Sequence, residues 1–270
     1  MTHSSANRVG ACAATALVLA LAASPSAAAA PTLSELPDWT GIWQILGPPL
    51  NTGLFDGGTS DPYGCNATNQ PCRMHPPYTA EYEAKYVEAL KHAADGTLPD
   101  PLTNCLPRPT PGNMRSPDAM EFVVRPERVW LFIENGSQVR HIYTDGRGHR
   151  TGKDAVPSYT GDSIGHWEGD TLVVETTNMR GESMMDRSGA ELSSKAKITE
   201  RIRRIDKNTM QDDFTIEDPG ALTAVWHVQR KWRLVPNVRI FDYACAENNR
   251  NPIDETGRTR TVDNSGKVID

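Results

Sequence analysis

One segment in the middle of the chain, QVRHIYTDGRGHR, concentrates side chains that carry out proton transfer. It contains a phenol at Tyr143, a carboxylate at Asp145 and an imidazole at His149. Side chains of these three types donate and accept protons at catalytic sites. Arg140 and Arg147 stand among them, and a guanidinium group can hold an anionic or oxyanionic part of a substrate. The segment therefore predicts a general acid/base site with Tyr143, Asp145 and His149 as catalytic residues.

The same segment has the pattern of a β-strand followed by a turn. Because successive side chains of a strand project to opposite faces, His141, Tyr143 and Asp145 share one face of this strand. Arg140 and Ile142 occupy the opposite face. An alternative interpretation is a turn network, in which Asp145 caps the Gly-Arg-Gly turn that follows and the arginines tie the loops together.

Glu200 is a fourth catalytic candidate, in a strand-like segment farther along the chain. It has the same strand parity as Ile198 and Ile202, which predicts that its side chain points into the protein interior. Burial raises the pKa of a carboxyl group unless a cation stands beside it. Arg230, which shares a strand face with Trp226, is the predicted partner. The pair is either a structural ion pair that supports the fold or an acid tuned by burial for catalysis.

A metal site built from His149, His166 and a carboxylate is an alternative use of the same region. No HxH or HxxxH spacing in the sequence supports it, so we predict neither a metal nor another cofactor. The sequence also lacks a Gly-x-Ser-x-Gly motif and a Gly-rich phosphate-binding loop. Their absence excludes the common serine hydrolase and nucleotide-binding classes.

The 6 tryptophans of the sequence predict an aromatic lining for a binding cavity. Such a lining suits a small hydrophobic or aromatic ligand, although ordinary core packing would use the same residues. Together with charged neighbours, the predicted substrate-binding residues are Trp43, Trp130, Arg140, Arg147, His166, Trp226, Arg230 and Glu247.

Residues 1–30 have the layout of a secretory signal peptide. They contain Arg8, an apolar run from about residue 11 to residue 23, and small residues before the expected cleavage point. The run is shorter than the roughly 20 residues that a membrane-spanning helix needs. We therefore expect a secreted or periplasmic protein without a membrane span.

The charge of the chain disfavours nucleic acid as a partner. The full sequence has a formal net charge of −6 at pH 7, and loss of Arg8 with the signal peptide makes it one unit more negative. The densest basic cluster, residues 200–204, is followed closely by acidic residues. Proteins that bind nucleic acids instead present a continuous basic surface, so we predict no nucleic-acid partner.

The cysteines predict disulfide bonds. The sequence has 5 of them, and all but Cys12 lie outside the predicted signal peptide. In an oxidising compartment an even number of cysteines favours complete pairing, and three connectivities are possible for four residues. We predict Cys65 with Cys72, which a short Gly-, Asn- and Pro-rich segment joins, and Cys105 with Cys245. A zinc site is disfavoured because the cysteines lack CxxC spacing and neighbouring histidines.

The first half of the mature chain is predicted to be irregular apart from two elements. A first strand is expected over residues 36–44, with Trp39 and Trp43 an even number of positions apart. An insert over about residues 47–113 follows. It contains one helix, which begins after Thr79 as its capping residue and ends before Gly96.

From Met120 onward the sequence predicts strand after strand. Apolar and polar residues alternate between short turns, and the last predicted strand is VRIFDYACAE. About eight to ten strands connected in this way would close into an antiparallel barrel. We therefore predict a single β-barrel domain over residues 31–250 and a polar tail over residues 251–270.

Two resemblances support this architecture. The Gly-x-Trp at Gly41 and Trp43, followed by an up-and-down series of strands, resembles lipocalin-like (calycin-type) barrels. The segments IYTDGRGH, SIGHWEGDTLVVET, ITERIRRID and YACAENN are similar to those of a family of secreted bacterial proteins. The second resemblance covers roughly residues 39–249 and implies a shared architecture without an activity. The predicted fold class is mainly β, a lipocalin-like antiparallel up-and-down barrel with one helix-containing loop insert.

The predicted function combines the barrel with the candidate acid/base residues. We expect an exported, cofactor-independent enzyme of the lyase, hydratase or isomerase type that acts on a small hydrophobic or aromatic molecule in a barrel cavity. Its catalytic residues would be Tyr143, Asp145, His149 and Glu200. The alternative is a carrier that binds such a ligand without changing it, and a carrier needs no titrating group near its ligand.

Overall fold

The computed structural model describes most of the chain that follows the predicted signal peptide. The described residues are 1–2, 31–46, 76–94, 105–115, 118–181, 184–185, 189–245, 254–255, 260 and 268. Several predictions lie outside them: most of the signal peptide, the first part of the insert, the Cys65–Cys72 bridge, Glu247 and most of the polar tail.

The described residues form nine strands that close into a barrel. They are β1 (Ile42–Ile45), β2 (Met120–Arg125), β3 (Arg128–Ile133), β4 (Gln138–Tyr143), β5 (Asp162–Glu168), β6 (Thr171–Thr177), β7 (Lys197–Asp206), β8 (Thr209–Glu217) and β9 (Trp226–Val235). Strands adjacent in sequence are adjacent in the sheet, and β9 pairs with β1 to close it. The predicted mainly-β, lipocalin-like barrel is confirmed.

One strand pair departs from the predicted antiparallel order. β4 and β5 are parallel, and they pair only through Ile142 with Ser163 and Tyr143 with Ile164. A parallel pair cannot be joined by a tight hairpin, because both strands run in the same direction. The first residues of β5 pair with the last residues of β4, so residues 144–161 leave the end of β4 and loop back to the same level.

The predicted helix is present as α1 (Ala80–Ala94). Thr79 lies at its start and accepts a hydrogen bond from the Tyr82 amide at 3.5 Å. Tyr82, Tyr86 and Leu90 lie on its buried face, in agreement with their helical spacing, and belong to the hydrophobic core. Within the described part of the chain, no helix is long and apolar enough to span a bilayer.

The barrel interior is filled by side chains that alternate with outward-facing residues along each strand. Large examples are Trp43, Leu131, Ile142 and Trp232, none of which has accessible surface. Because a water-sized probe reaches no part of these side chains, no water-sized cavity adjoins them. This level of the barrel is a packed core and does not form the predicted ligand cavity.

The last predicted strand, VRIFDYACAE, is wrong for the residues that the structure describes. Residues 238–245 contain no strand, and Phe241 is exposed. The barrel is already closed at β9, whose edge is paired with β1, so no edge remains there for another strand. The segment instead lies beside the turn between β3 and β4, where the Ser137 hydroxyl donates a hydrogen bond to the Tyr243 carbonyl oxygen at 3.1 Å.

The predicted disulfide between Cys105 and Cys245 is confirmed. It joins residues 140 positions apart in sequence and attaches the segment after β9 to the chain ahead of β2. Disulfides of this kind are typical of proteins in oxidising, extracytoplasmic compartments. In the chain-entropy description, closing so long a loop stabilises the fold by about 5 kcal/mol.

Candidate functional site

The connection between β4 and β5 places His149 against the outer face of the barrel. His149 lies beside the side chains of Asp162, at the start of β5, and Glu175, on β6. Residues 144–161 bring these three residues together, because they leave the end of β4 and return to the same level, where β5 begins.

Each ring nitrogen of His149 faces a carboxylate. Nδ1 lies 3.1 Å from Asp162 Oδ2, and Nε2 lies 3.1 Å from Glu175 Oε1. Asp162 also accepts hydrogen bonds from the Arg150 amide at 2.8 Å and from Arg150 Nε at 3.1 Å. The His149 side chain is 18% exposed. We call His149, Asp162 and Glu175 the outer cluster.

Both carboxyl groups of the outer cluster are held in the charged form. Burial alone would raise the pKa of Asp162, but hydrogen bonds from the Arg150 amide and from His149, with the Arg150 charge, lower it. The pKa of Glu175 is lowered chiefly by a hydrogen bond from Lys197, against the effect of partial burial. Lys197 Nζ lies 2.7 Å from Glu175 Oε2. His149 is therefore flanked by two carboxylates at neutral pH.

A second group of predicted residues lies on the same outer surface. Arg147 forms a bidentate ion pair with Asp145, with Nε 2.8 Å from Oδ1 and Nη2 2.5 Å from Oδ2. Its guanidinium carbon lies 4.0 Å from the centre of the Tyr143 ring. The pKa of Arg147 is raised first by Asp145 and, more weakly, by Tyr143 and Asp162. Arg147 therefore lies close enough to Asp162 of the outer cluster to feel its charge.

Aromatic rings continue this surface across β4 and β3. The His141 ring stacks with Tyr143 at 6.3 Å between centroids and meets Trp130 edge-on at 6.5 Å. Arg128 lies over both Tyr143 and Trp130, at 4.5 and 5.2 Å from their centroids. The pKa of His141 is lowered by burial and by the charge of Arg128.

The barrel interior holds a different polar group, which we call the inner cluster: Arg140, Glu200 and Asp212. Arg140 forms an ion pair with Glu200, with Nη1 2.8 Å from Oε1 and Nη2 bonded to Oε2. Nη2 also donates to the Thr176 hydroxyl at 2.7 Å. Both side chains of the ion pair are fully buried. Burial alone would lower the pKa of Arg140, but Glu200 outweighs that effect and raises it.

Asp212 lies beside this ion pair and is also fully buried. Burial raises its pKa well above the ordinary value, and the nearby charge of Glu200 raises it further. No N–H or hydroxyl group of the described residues donates to either Asp212 oxygen. The raised pKa of Asp212 favours its protonated form in the folded protein.

The structure divides the predicted catalytic residues between the two clusters. Tyr143, Asp145 and His149 lie on the outer surface, whereas Glu200 lies inside the barrel. The four residues therefore do not share one cavity. The predicted interior position of Glu200 is correct, but Arg140 from β4, and not Arg230, forms its bidentate ion pair. Arg230 is buried opposite Asp212.

The predicted substrate-binding residues divide in the same way. Those on the outer surface are Trp130, Arg147 and His166, and those buried inside the barrel are Trp43, Arg140, Trp226 and Arg230. Glu247 lies outside the described residues. Trp43 and Trp226 are core residues, because they belong to the hydrophobic core with five per cent of accessible surface or less.

The sequence patterns did not identify three residues of the two clusters, namely Asp162, Glu175 and Asp212. Asp212 has the same strand parity as Met210 and Phe214, so the rule that placed Glu200 inside would have found it. Asp162 and Glu175 had no comparable signal. Each is an acid on a strand, and only the path of residues 144–161 gives them His149 as a neighbour.

The alternative of a metal site is not supported by any suitable cluster of ligands in the part of the chain that the structure describes. No group of three or more His, Cys, Asp and Glu side chains is placed there to hold a metal ion. His166, the second histidine of that alternative, instead lies 3.2 Å from Glu168 on the exposed side of β5.

Comparison with known proteins leaves the two clusters as the basis for function. No protein-family model and no curated protein matches this chain. Of the two clusters, only the outer one presents a titratable ring to solvent, whereas the ion pair of the inner one is fully buried.

Proposed function

We propose that the chain is an exported enzyme that uses His149 for general acid/base catalysis, without a cofactor, on a small aromatic or hydrophobic molecule with an anionic group. The observation that carries the proposal is the position of His149, 3.1 Å from a carboxylate at each ring nitrogen and still 18% exposed. Export is supported by the Cys105–Cys245 disulfide.

Asp162 would orient the catalytic ring. The Asp162 carboxylate is held in place by hydrogen bonds from the Arg150 amide and side chain. In this proposal it accepts a hydrogen bond from the Nδ1–H group of His149. A buried carboxylate on one ring nitrogen sets the tautomer, so that the other nitrogen exchanges protons with the substrate. Nε2 is the exchanging atom in this proposal.

The Glu175 carboxylate would move away from Nε2 of His149 when substrate binds. Its side chain is 38% exposed, against 6% for Asp162, and its second oxygen is held by Lys197 at 2.7 Å. Rotation of the Glu175 carboxylate toward Lys197 would keep that ion pair and free Nε2. The more exposed of the two carboxylates is thus the one that can move without leaving a buried charge unpaired.

The neighbouring surface supplies groups that would bind an aromatic anion. Trp130, His141 and Tyr143 present rings on which an apolar or aromatic substrate can stack. Arg147 and Arg128 provide positive charge beside those rings. A carboxylate or a developing enolate oxygen would be stabilised by these guanidinium groups.

The chemistry would be proton transfer at a carbon next to a carbonyl group. Nε2 of His149 would take the proton, and the electron pair of the C–H bond would move to the carbonyl oxygen to give an enolate. Return of the proton to another atom completes an isomerisation, and departure of a leaving group completes a lyase reaction. The carrier alternative would use the barrel interior, where Trp43, Leu131 and Trp232 leave no water-sized space beside them.

Hydrogen–deuterium exchange tests this proposal without knowledge of the natural substrate. Phenylpyruvate in D2O is a suitable probe, since it combines an aromatic ring, a carboxylate and acidic benzylic protons. We expect the protein to accelerate loss of the benzylic proton signal in NMR spectra. Replacement of the base typically removes a factor of about 100 or more, which is the loss expected for His149→Gln.

A matched control separates this role from a general effect of losing a histidine. His227 is exposed on β9 and lies near the Thr215 hydroxyl at 3.2 Å, away from the outer cluster. His227→Gln should exchange phenylpyruvate protons at the wild-type rate. The proposal is rejected if the wild-type protein gives no acceleration, or if His149→Gln retains it.

A further inference from the structure

A groove of about 290 Å³ lies apart from the residues of both clusters. Residues 33–40 form one wall, and residues 121–125 of β2 form the other. Phe122 and Trp39 are among its lining residues, but both are almost fully buried, with their rings 5.3 Å apart. The volume lies near the lower end of the range for ligand pockets, which suits a short and narrow occupant.

The β2 wall of the groove is an open strand edge. All six residues of β2 pair with β3, but β1 pairs with β2 only through Glu121 and Met120. In the described chain, no backbone hydrogen bond joins residues 36–40 to residues 122–125. On the side away from β3, residues 122–125 therefore have no strand partner among the described residues, and the Val124 carbonyl oxygen accepts a hydrogen bond from Arg125 Nη1 at 2.8 Å. An open edge presents N–H and C=O groups that another extended chain can pair with.

The bend at Gly41 explains why β1 stops short. Gly41 has φ of +124°, which a residue with a side chain rarely adopts. Continuation of the β1–β2 register would have placed residues 38–41 along the open edge. The chain turns away at Gly41 instead, and Trp39 enters the core, where its carbonyl oxygen accepts a hydrogen bond from Trp43 Nε1 at 3.0 Å. The groove is the space left by this departure.

The charges along the open edge are asymmetric. Glu121 and Arg125 both face outward on β2, four residues apart, with Val123 between them. Neither has an ion-pair partner among the residues that the structure describes. A chain paired antiparallel with this edge would place one side chain across from each of them.

We propose that this groove binds an extended peptide segment of another exported protein, which adds as a strand to β2. The edge supplies backbone hydrogen bonds, and the side chains supply specificity, as in other cases of β-strand addition. In antiparallel pairing the peptide reads, from its N-terminus, an acidic residue opposite Arg125, an apolar residue opposite Val123 and a basic residue opposite Glu121. One further peptide residue lies between each of these three positions and the next. The recognised pattern is acidic-x-apolar-x-basic.

Two labelled peptides of identical composition test the proposal. Fluorescein-labelled ETVTK carries the expected order, and KTVTE carries the reverse. Fluorescence anisotropy with the full chain should show saturable binding of ETVTK, and KTVTE should bind about three- to tenfold more weakly because two exposed ion pairs become repulsive. Methylation of the ETVTK backbone nitrogens should abolish binding, because it removes the donors that pair with the edge.

An exchange of the two protein charges provides the matched control. In the double variant Glu121→Arg with Arg125→Glu, the preference should reverse to KTVTE while the fold and the phenylpyruvate exchange rate stay unchanged. The proposal would be overturned if ETVTK did not bind at protein concentrations up to about 1 mM. A Kd of that size corresponds to a binding free energy of only about −4 kcal/mol. An unchanged preference in the double variant would likewise overturn the proposal. Sedimentation that shows a dimer formed through the β2 edge would also overturn it, with a second copy as the occupant.

Discussion

The outer and inner clusters use similar residue types in opposite surroundings. In the outer cluster, His149 lies between Asp162 and Glu175 with solvent at one side of the ring. In the inner cluster, Arg140 and Glu200 form an ion pair with no accessible surface. Water stabilises the charges of the first and is excluded from the second, so the same kind of contact has different consequences for stability and for function.

The comparison separates a cluster that is partly exposed from one that is closed to solvent, and only the exposed one fits the proposed proton exchange with a substrate. Arg140 connects β4 to β5, β6 and β7 through Ser163, Thr176 and Glu200, so a change in its charge would disturb four strands. Burial makes such a pair costly to break and unable to reach a substrate. The outer cluster can gain or lose a proton without opening the barrel. Stability should therefore depend on the inner cluster and catalysis on the outer one.

The largest expected effect is the loss of the inner ion pair. Arg140→Met leaves the Glu200 carboxylate buried without its cation, and we expect the free energy of unfolding to fall by about 3–5 kcal/mol. Urea denaturation at neutral pH measures the change. If the single variant does not fold, the double variant Arg140→Met with Glu200→Met should recover a folded protein, because neither charge then remains buried.

An exposed ion pair provides the control for this variant. Arg201 and Glu168 lie 2.8 Å apart with about half of each side chain exposed. Arg201→Gln should lower the free energy of unfolding by less than about 1 kcal/mol. Equal losses in Arg140→Met and Arg201→Gln would contradict the distinction between buried and exposed clusters.

The second effect concerns the proton on Asp212. The unfolded carboxyl ionises near pH 4, whereas burial and Glu200 raise its pKa in the folded protein. Between these two pKa values the folded state keeps a proton that the unfolded state loses. The free energy of unfolding should thus fall by up to about 1.4 kcal/mol for each unit that the pH rises. The variant Asp212→Asn carries no such proton and should show a flatter dependence.

Urea denaturation of the wild type and Asp212→Asn between about pH 5 and pH 8 measures this difference. The variant should gain stability relative to the wild type as the pH rises. Parallel curves for the two proteins would show that Asp212 does not hold a proton in the folded state. The side-chain amide that this substitution introduces retains a donor toward Glu200, so the packing of the inner cluster is kept.

The smallest effect is expected for the outer cluster. The pKa of Asp162 is lowered in the folded protein, so its stabilising contribution is present above its unfolded pKa and disappears as the pH falls through the folded pKa. Asp162→Asn should be less stable by about 1–2 kcal/mol near neutral pH. The difference should vanish in acid, where the wild-type carboxyl is protonated.

Asp170→Asn is a suitable control for Asp162→Asn, because Asp170 lies in the exposed β5–β6 turn. It should change the free energy of unfolding by less than about 0.5 kcal/mol at either pH. A loss in Asp162→Asn that persists unchanged at low pH would mean that the effect comes from packing and not from charge.

Local periodicity predicted much of the fold and part of the site. The alternation along β4 correctly separated His141 and Tyr143 from Arg140 and Ile142. The parity of Glu200 correctly placed it inside the barrel. Strand parity is a property of neighbouring residues, so the sequence is sufficient to read it.

The partners across the barrel could not be read in this way. Parity identifies which side chains face inward, but it does not say that Arg140 on β4 reaches Glu200 on β7, 60 positions away. That contact depends on the closure of the sheet. Likewise, the path of residues 144–161 sets the position of His149, and nothing in the local pattern shows that β5 will start beside the end of β4 and parallel to it.

The link between Cys105 and Cys245 makes most of the barrel a covalent ring. Every strand from β2 to β9 lies between these two residues, and only β1 lies outside them. A protease that cuts one exposed loop within the ring opens it without separating its pieces, which remain tethered through sulfur. Such a nicked barrel keeps its neighbouring strands at high local concentration and can close again. For a protein released among extracellular proteases, that tolerance of single cuts would prolong its working life.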